Sequence, residues 1–151
     1  MTVGTPGLVL CVHPGYGKAL RAQRPIPNSS VVLSLASEVT RITEPTATSI
    51  QVGINEHIDG PPTLYLNHSC EPNVFVDAST LDIIAIRDIE LGEDIQFFYP
   101  ANEWHMSVPF ECNCGTKSCL GSISGAREMD GRVLSRYRLN HHIKLLRETV
   151  S

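Results

Sequence analysis

The stretch Asn67-His68-Ser69-Cys70-Glu71-Pro72-Asn73 sets an amide, an imidazole, a thiol and a carboxylate between apolar segments. That concentration of polar chemistry suits a site better than a surface loop. Further along, Cys112, Cys114 and Cys119 crowd into a segment that also carries the turn residues Gly115 and Gly121. Zn2+ takes four soft ligands in a tetrahedron, and three thiolates leave one place to fill. Cys70 is the candidate fourth ligand, because a thiol in a polar loop has little reason to be core packing. Cys11 lies in an apolar run, where a buried free cysteine is ordinary. A site closed by four thiolates has no open position, so the one zinc it implies is structural.

The surrounding composition is that of a globular protein, with 42% apolar and 19% charged residues in a chain of 151. That length suits one domain with a core large enough to need no disulfide staples. Five cysteines, three of them clustered, fit thiolate ligation in a reducing compartment better than a disulfide framework. The expected location is nucleus or cytoplasm. No run of eighteen apolar residues is present, and residues 8–12 are too short for a signal segment, so neither a membrane span nor secretion is expected. A net charge of −4 argues against a nucleic-acid surface and suits a basic peptide partner.

Short strands dominate the chain. Residues 7–12, 18–22 and 31–35 are apolar or β-branched runs closed by Gly and Pro, with His13-Pro14-Gly15-Tyr16-Gly17 as turn chemistry between the first two. Residues 55–62 read as a loop. Residues 74–76 and 81–86 pair as a hairpin across 77–80, and 94–99 form a strand ended by Pro100. One helix is expected, at the end, where Val133, Leu134, Tyr137, Ile143, Leu146 and Val150 recur at roughly helical spacing.

Taken in order, Gly15-x-Gly17, Leu66-Asn67-His68-Ser69-Cys70-Glu71-Pro72-Asn73, Gly92-Glu93-Asp94-Ile95-x-Phe97-x-Tyr99 and Cys112-x-Cys114-Gly115-x3-Cys119-x-Gly121 closely resemble the SET-domain protein lysine methyltransferases with a post-SET zinc segment. The resemblance covers about residues 7–125. It implies a β-rich α+β fold of small curved sheets around a pseudoknot: a SET domain with its zinc segment over 1–125, and a C-terminal helical extension over 126–151 packed on it. No cysteine-rich pre-SET region is expected.

The resemblance further implies S-adenosyl-L-methionine on one side of the pseudoknot and a substrate lysine entering a channel from the other. Gly15, Tyr16 and Gly17 would pass close to the cofactor, with glycines leaving room for it. Asn67 and His68 would hold it by side-chain and backbone hydrogen bonds, and Leu120 or Trp104 would cover its adenine. Cys70 would couple the pocket to the zinc. Tyr99 matches the catalytic tyrosine, which would also touch the cofactor, and Phe97 the position that governs how many methyl groups are added. The expected partner is a protein or peptide lysine, a histone tail included.

Two departures stand out. Phe98 occupies a position that is usually acidic, and Gln51-Val52-Gly53 stands where a tyrosine-x-glycine motif is usual. Two competing readings follow from them: a SET-fold binding module that has lost transfer, and a SET-fold enzyme acting on a small molecule.

Overall fold

Turn residues cut the chain into short strands, and the computed structural model, which describes residues 7–14 and 17–150, arranges them in five small sheets. β1 (Leu8–His13) and β2 (Gly17–Ala22) form an antiparallel hairpin whose buried Leu8, Leu20 and Ala22 face the core. β3 (Val31–Ser34) joins the sheet made by β8 (Val74–Asp77) and β9 (Asp82–Ala85), in the order β3-β9-β8. The hairpin expected across residues 77–80 is therefore present, with Val74 opposite Ala85 and Asp77 opposite Asp82.

β4 (Thr40–Ile42), β5 (Ile50–Gly53) and β6 (Glu56–Asp59) make a second three-stranded sheet in the order β4-β6-β5. This corrects the loop expected over 55–62. β6 is the central strand, because Ile58 is wholly buried while polar neighbours satisfy its borders. Arg41 pairs with Glu56, and the Asp59 carboxylate accepts from the Thr46 hydroxyl at 2.7 Å and the Thr48 hydroxyl at 2.9 Å. Only the turn before it and the 3-10 segment Pro61–Tyr65 after it are irregular.

β7 (Asn67–His68) and β10 (Gln96–Phe97) pair in parallel, and β11 (Phe110–Glu111) pairs with β12 (Ser122–Ile123). β10 is shorter than the strand expected over 94–99. The Tyr99 backbone N–H turns away to the His68 Nδ1 at 3.1 Å, and a 3-10 turn, Tyr99–Ala101, begins there.

The terminal helix is broken in two, α1 (Gly131–Leu134) and α2 (His141–Val150). The interruption is held by tertiary bonds that outweigh the helical pattern. Asn140 donates its amide to the Val76 and Ala101 carbonyls at 3.0 Å each and accepts from the Ala78 N–H at 2.9 Å, while Tyr137 stacks on Phe98. Two apolar clusters result. The larger lies among the sheets; the smaller gathers Phe75, Phe98, Ala101, Ala126, Leu134 and Ile143 beneath the C-terminal segment. Phe98 thus anchors that segment, which gives the unusual apolar residue at this position a packing role.

Candidate active site and metal centre

The site is built where two chain segments lie side by side. β7 and β10 match Gln96 with Asn67 and Phe97 with His68, and the Ser69 N–H continues the pairing to the Phe97 carbonyl at 3.0 Å. Buried Asn73 fixes the second segment: its side chain donates to the Asp94 carbonyl at 2.8 Å and accepts from the Gln96 N–H at 2.9 Å. Asn67 ties in the β1-β2 hairpin by donating to the Lys18 carbonyl at 2.7 Å. Beside that contact Gly17 sits at φ +83, a conformation that favours glycine, with open space where a Cβ would point.

His68 spends both ring nitrogens inside the protein. Nδ1 accepts from the Tyr99 N–H, so the proton sits on Nε2, which faces the Cys70 Sγ at 3.4 Å. Burial pushes its pKa down to about 4, and the ring stays neutral at physiological pH. The Tyr99 hydroxyl donates to the Leu66 carbonyl at 3.0 Å. Burial, reinforced by the nearby Glu103 charge, pushes the phenol up to about 12.

The β11-β12 hairpin closes the cysteine segment, with the Cys112 N–H donating to the Gly121 carbonyl at 2.6 Å. Across it, Cys70 lies 3.8 Å from Cys112, and the sulfurs of Cys70, Cys112, Cys114 and Cys119 all fall within 4.8 Å of one another. A tetrahedron with zinc–sulfur bonds of about 2.3 Å has edges of about 3.8 Å, so the four thiols fit that ion. Burial pushes Cys70 up to about 11, opposed by the Leu120 N–H at 3.3 Å from its sulfur. Burial also raises Cys112. Partial burial also works to raise half-buried Cys114, but bonds from the Thr116 hydroxyl and neighbouring groups bring it down to about 6. A divalent cation would deprotonate the remainder.

Tyr99 stands between two cavities. One, of about 280 Å³, is lined by Asn67, His68, Tyr99, Phe110 and residues 111–114; the Phe110 ring lies edge-on to His68 and to Tyr99, with centroids 5.8 Å apart in each case. The other, of about 440 Å³, is bounded by residues 45–50, Thr63, Leu64, Leu66, Phe97, Tyr99, Glu103 and residues 105–108. Phe97 is 2% exposed, its ring 4.9 Å from that of Tyr99.

Several site residues named from the sequence therefore gather here: Gly17, Asn67, His68, Phe97, Tyr99 and the four cysteines. Gly15 and Tyr16 lie outside the described residues. Leu120 lines neither cavity flanking Tyr99 and packs with Trp104 against the smaller apolar cluster, because its backbone N–H is turned to the Cys70 sulfur. Beside His68 and Tyr99 the smaller cavity is lined by the Phe110 ring, a position that carried no sequence signal. Glu103 was missed as well, since a single glutamate between Asn102 and Trp104 looks like any surface carboxylate.

The pattern of the SET domain matches residues 17–100. Methyltransferase flvH of Aspergillus flavus is 38% identical over 144 residues, which is 87% of this chain and 81% of that protein. Histone-lysine N-methyltransferase ash1 of Drosophila melanogaster is 26% identical over 142 residues, 80% of this chain but 6% of its own length. An Aspergillus oryzae histone-lysine N-methyltransferase, H3 lysine-36 specific, is 35% identical over 72 residues, 44% of this chain and 7% of that one. The chain thus spans most of one relative and a small part of the other two.

Two solved structures share the fold. KRYPTONITE in complex with mCHG DNA and SAH aligns with a TM-score of 0.61 at 21% identity, over 76% of this chain and 28% of that one. The methyltransferase domain of human histone-lysine N-methyltransferase SETMAR aligns at 0.58 and 21%, over 78% and 58%. With the domain pattern covering more than half the sequence, and a relative at 38% identity aligned along most of both chains, the chain belongs to the SET-domain family.

Proposed function

We propose that this protein is an S-adenosylmethionine-dependent methyltransferase acting on the side-chain amine of a protein lysine. The observation that carries this reading is Tyr99, a half-buried residue on the wall between two cavities and fixed to His68 through its own backbone. Two pockets meeting at one tyrosine allow a donor and an acceptor to approach each other from opposite sides.

Asn67, Tyr99, Phe110 and the backbone of residues 111–114 would hold the cofactor in the smaller cavity, which fits a ligand bound through aromatic faces and backbone groups. S-adenosylmethionine supplies an electrophilic methyl group on a sulfonium centre. Tyr99 stays protonated, orients the reacting groups at its hydroxyl and excludes water with Phe97. Phe97 offers no hydroxyl to anchor a water or an amine, which favours addition of more than one methyl group. The four cysteines would hold one structural zinc that fixes Cys70 and, through it, His68. Histone lysine is the leading substrate class, given the names of the relatives, and a nuclear or cytoplasmic location accords with four reduced thiols. One of the two neighbouring structures is a complex with DNA, so the case against nucleic acid rests on the net charge of −4.

A small-molecule amine is the second reading. A cavity of about 440 Å³ matches pockets for small ligands, and flvH, of which this chain spans 81%, is named only as a methyltransferase. Incubation with labelled S-adenosylmethionine, histones and a cell lysate separates the readings. Label on a protein band, reduced about 100-fold or more in Tyr99→Phe, is expected. Label confined to small molecules selects the second reading, and undiminished transfer by Tyr99→Phe overturns the assignment of that residue.

A further inference from the structure

The larger of the two cavities flanking Tyr99 contains one carboxylate, Glu103, and Gln51 helps to hold it. Gln51, at the altered position, grips the segment after Tyr99 at two points. Its backbone N–H donates to Glu103 Oε2 at 2.8 Å, and its side-chain oxygen accepts from the Trp104 N–H at 2.9 Å. The side-chain amide is itself fixed by donating to the Gly53 carbonyl at 2.9 Å. Glu103 is thereby set on the cavity wall beside Tyr99, with only one of its carboxyl oxygens bonded to a partner among the described residues. Among the described residues no lysine or arginine lines this cavity; the titratable side chains lining it are Tyr99, Glu103 and His105, and His105 faces Glu128 at 3.4 Å.

We propose that Glu103 is the group that recognises the substrate amine: its carboxylate pairs with the incoming ammonium and accepts the proton that must leave before methyl transfer. The assignment rests on the methyltransferase reading for its chemistry, but not for its binding consequence. In the proton step an N–H bond of the ammonium breaks and an O–H bond forms on Glu103, leaving a neutral amine and a neutral acid. The nitrogen lone pair then forms the N–C bond as the C–S bond breaks, with that electron pair remaining on sulfur. The methylammonium product departs, and Glu103 returns its proton to water at the cavity mouth.

Burial, opposed by the Gln51 N–H, holds this carboxyl up at about 7. An ordinary glutamate lies about six units below an alkylamine of about 10.4, and the raised value narrows that gap to roughly half. A carboxylate set here also discriminates by charge, which the apolar lining formed by Phe97, Leu64 and Leu66 cannot do.

The test compares n-butylammonium with 1-butanol, its neutral isostere, by NMR titration of the zinc-loaded full chain at pH 8. The expected result is at least tenfold tighter binding of the ammonium, with shifts at Tyr99 and Glu103, falling to within about threefold of the alcohol in Glu103→Gln. Equal binding by the wild type, or a preference that survives Glu103→Gln, overturns the proposal. The carboxamide can still accept the Gln51 bond, so the variant is expected to fold. Should it not fold, the preference is read in His105→Gln at pH 6 and pH 8: weakening at pH 6 supports the proposal and a constant preference overturns it. A chain that selects the ammonium but transfers no methyl group refutes the proposed function and leaves Glu103 as the amine-binding group.

Discussion

At the scale of single residues, the site is organised by side chains whose protonation is fixed by burial. Neutral His68, with its proton on Nε2, links the Tyr99 backbone to the Cys70 sulfur, and that link needs both ring nitrogens. Glu103 bears the opposite signature, a carboxyl whose folded-state value of about 7 lies above its unfolded one of about 4.5. The sign follows directly. The folded state binds the extra proton between those values, so the contribution of this group is most favourable below pH 4.5 and is lost as pH rises through 7. Glu103→Gln should therefore stabilise the protein, by on the order of 2 kcal/mol at pH 8.5, with a smaller gain at pH 6. Denaturant melts of both proteins across that range check it, and a difference that does not grow with pH would count against a desolvated carboxylate. The loop at 67–73 was legible because amide, imidazole and thiol adjoin in sequence. Glu103 was not, since its significance depends on Gln51, a residue 52 positions away.

At the scale of elements, local pattern succeeded where pairing is local and failed where tertiary bonds decide. The β8-β9 hairpin could be read from two apolar runs and a polar turn. β6 could not, because its polar residues find partners on β4 and in the 46–48 turn that no periodicity announces. The terminal helix illustrates the same competition, since its apolar spacing persists through the break while Asn140 and Tyr137 are claimed by other bonds. Tyr137 lies 3.6 Å from Phe98, centroid to centroid, with the rings 3° from parallel, and its hydroxyl donates to the Cys70 carbonyl at 2.7 Å. The stack joins the C-terminal segment to the site loop. Tyr137→Phe keeps the rings and should cost about 1 kcal/mol, whereas Tyr137→Ala removes both contacts and should cost about 3 kcal/mol in equilibrium unfolding. Equal losses in the two variants would show that the hydroxyl, not the stack, fastens this segment.

At the scale of the whole molecule, the metal site and the candidate cofactor pocket share one wall. Cys112 and Cys114 line the smaller cavity while belonging to the four-thiol cluster, and Cys70 receives the His68 Nε2–H and the Leu120 N–H. Loss of the ion should therefore loosen the pocket as well as the fold. The chain is expected to carry one zinc under reducing conditions, and chelation should lower its melting temperature by more than about 10 °C, a shift that corresponds to several kcal/mol at this size. S-adenosylhomocysteine, used as the probe in calorimetry, should bind more weakly to the chelated protein. Proton competition adds a second handle. Burial raises both Cys70 and Cys112, so zinc must expel their protons, and its apparent affinity should fall by about 100-fold for each unit of pH decrease near neutrality. Chelator competition at pH 6.5 and 7.5 measures that slope. A flat response would mean that the thiols are already ionised without the metal. The four cysteines would then form a preformed anionic site, in conflict with the burial of Cys70.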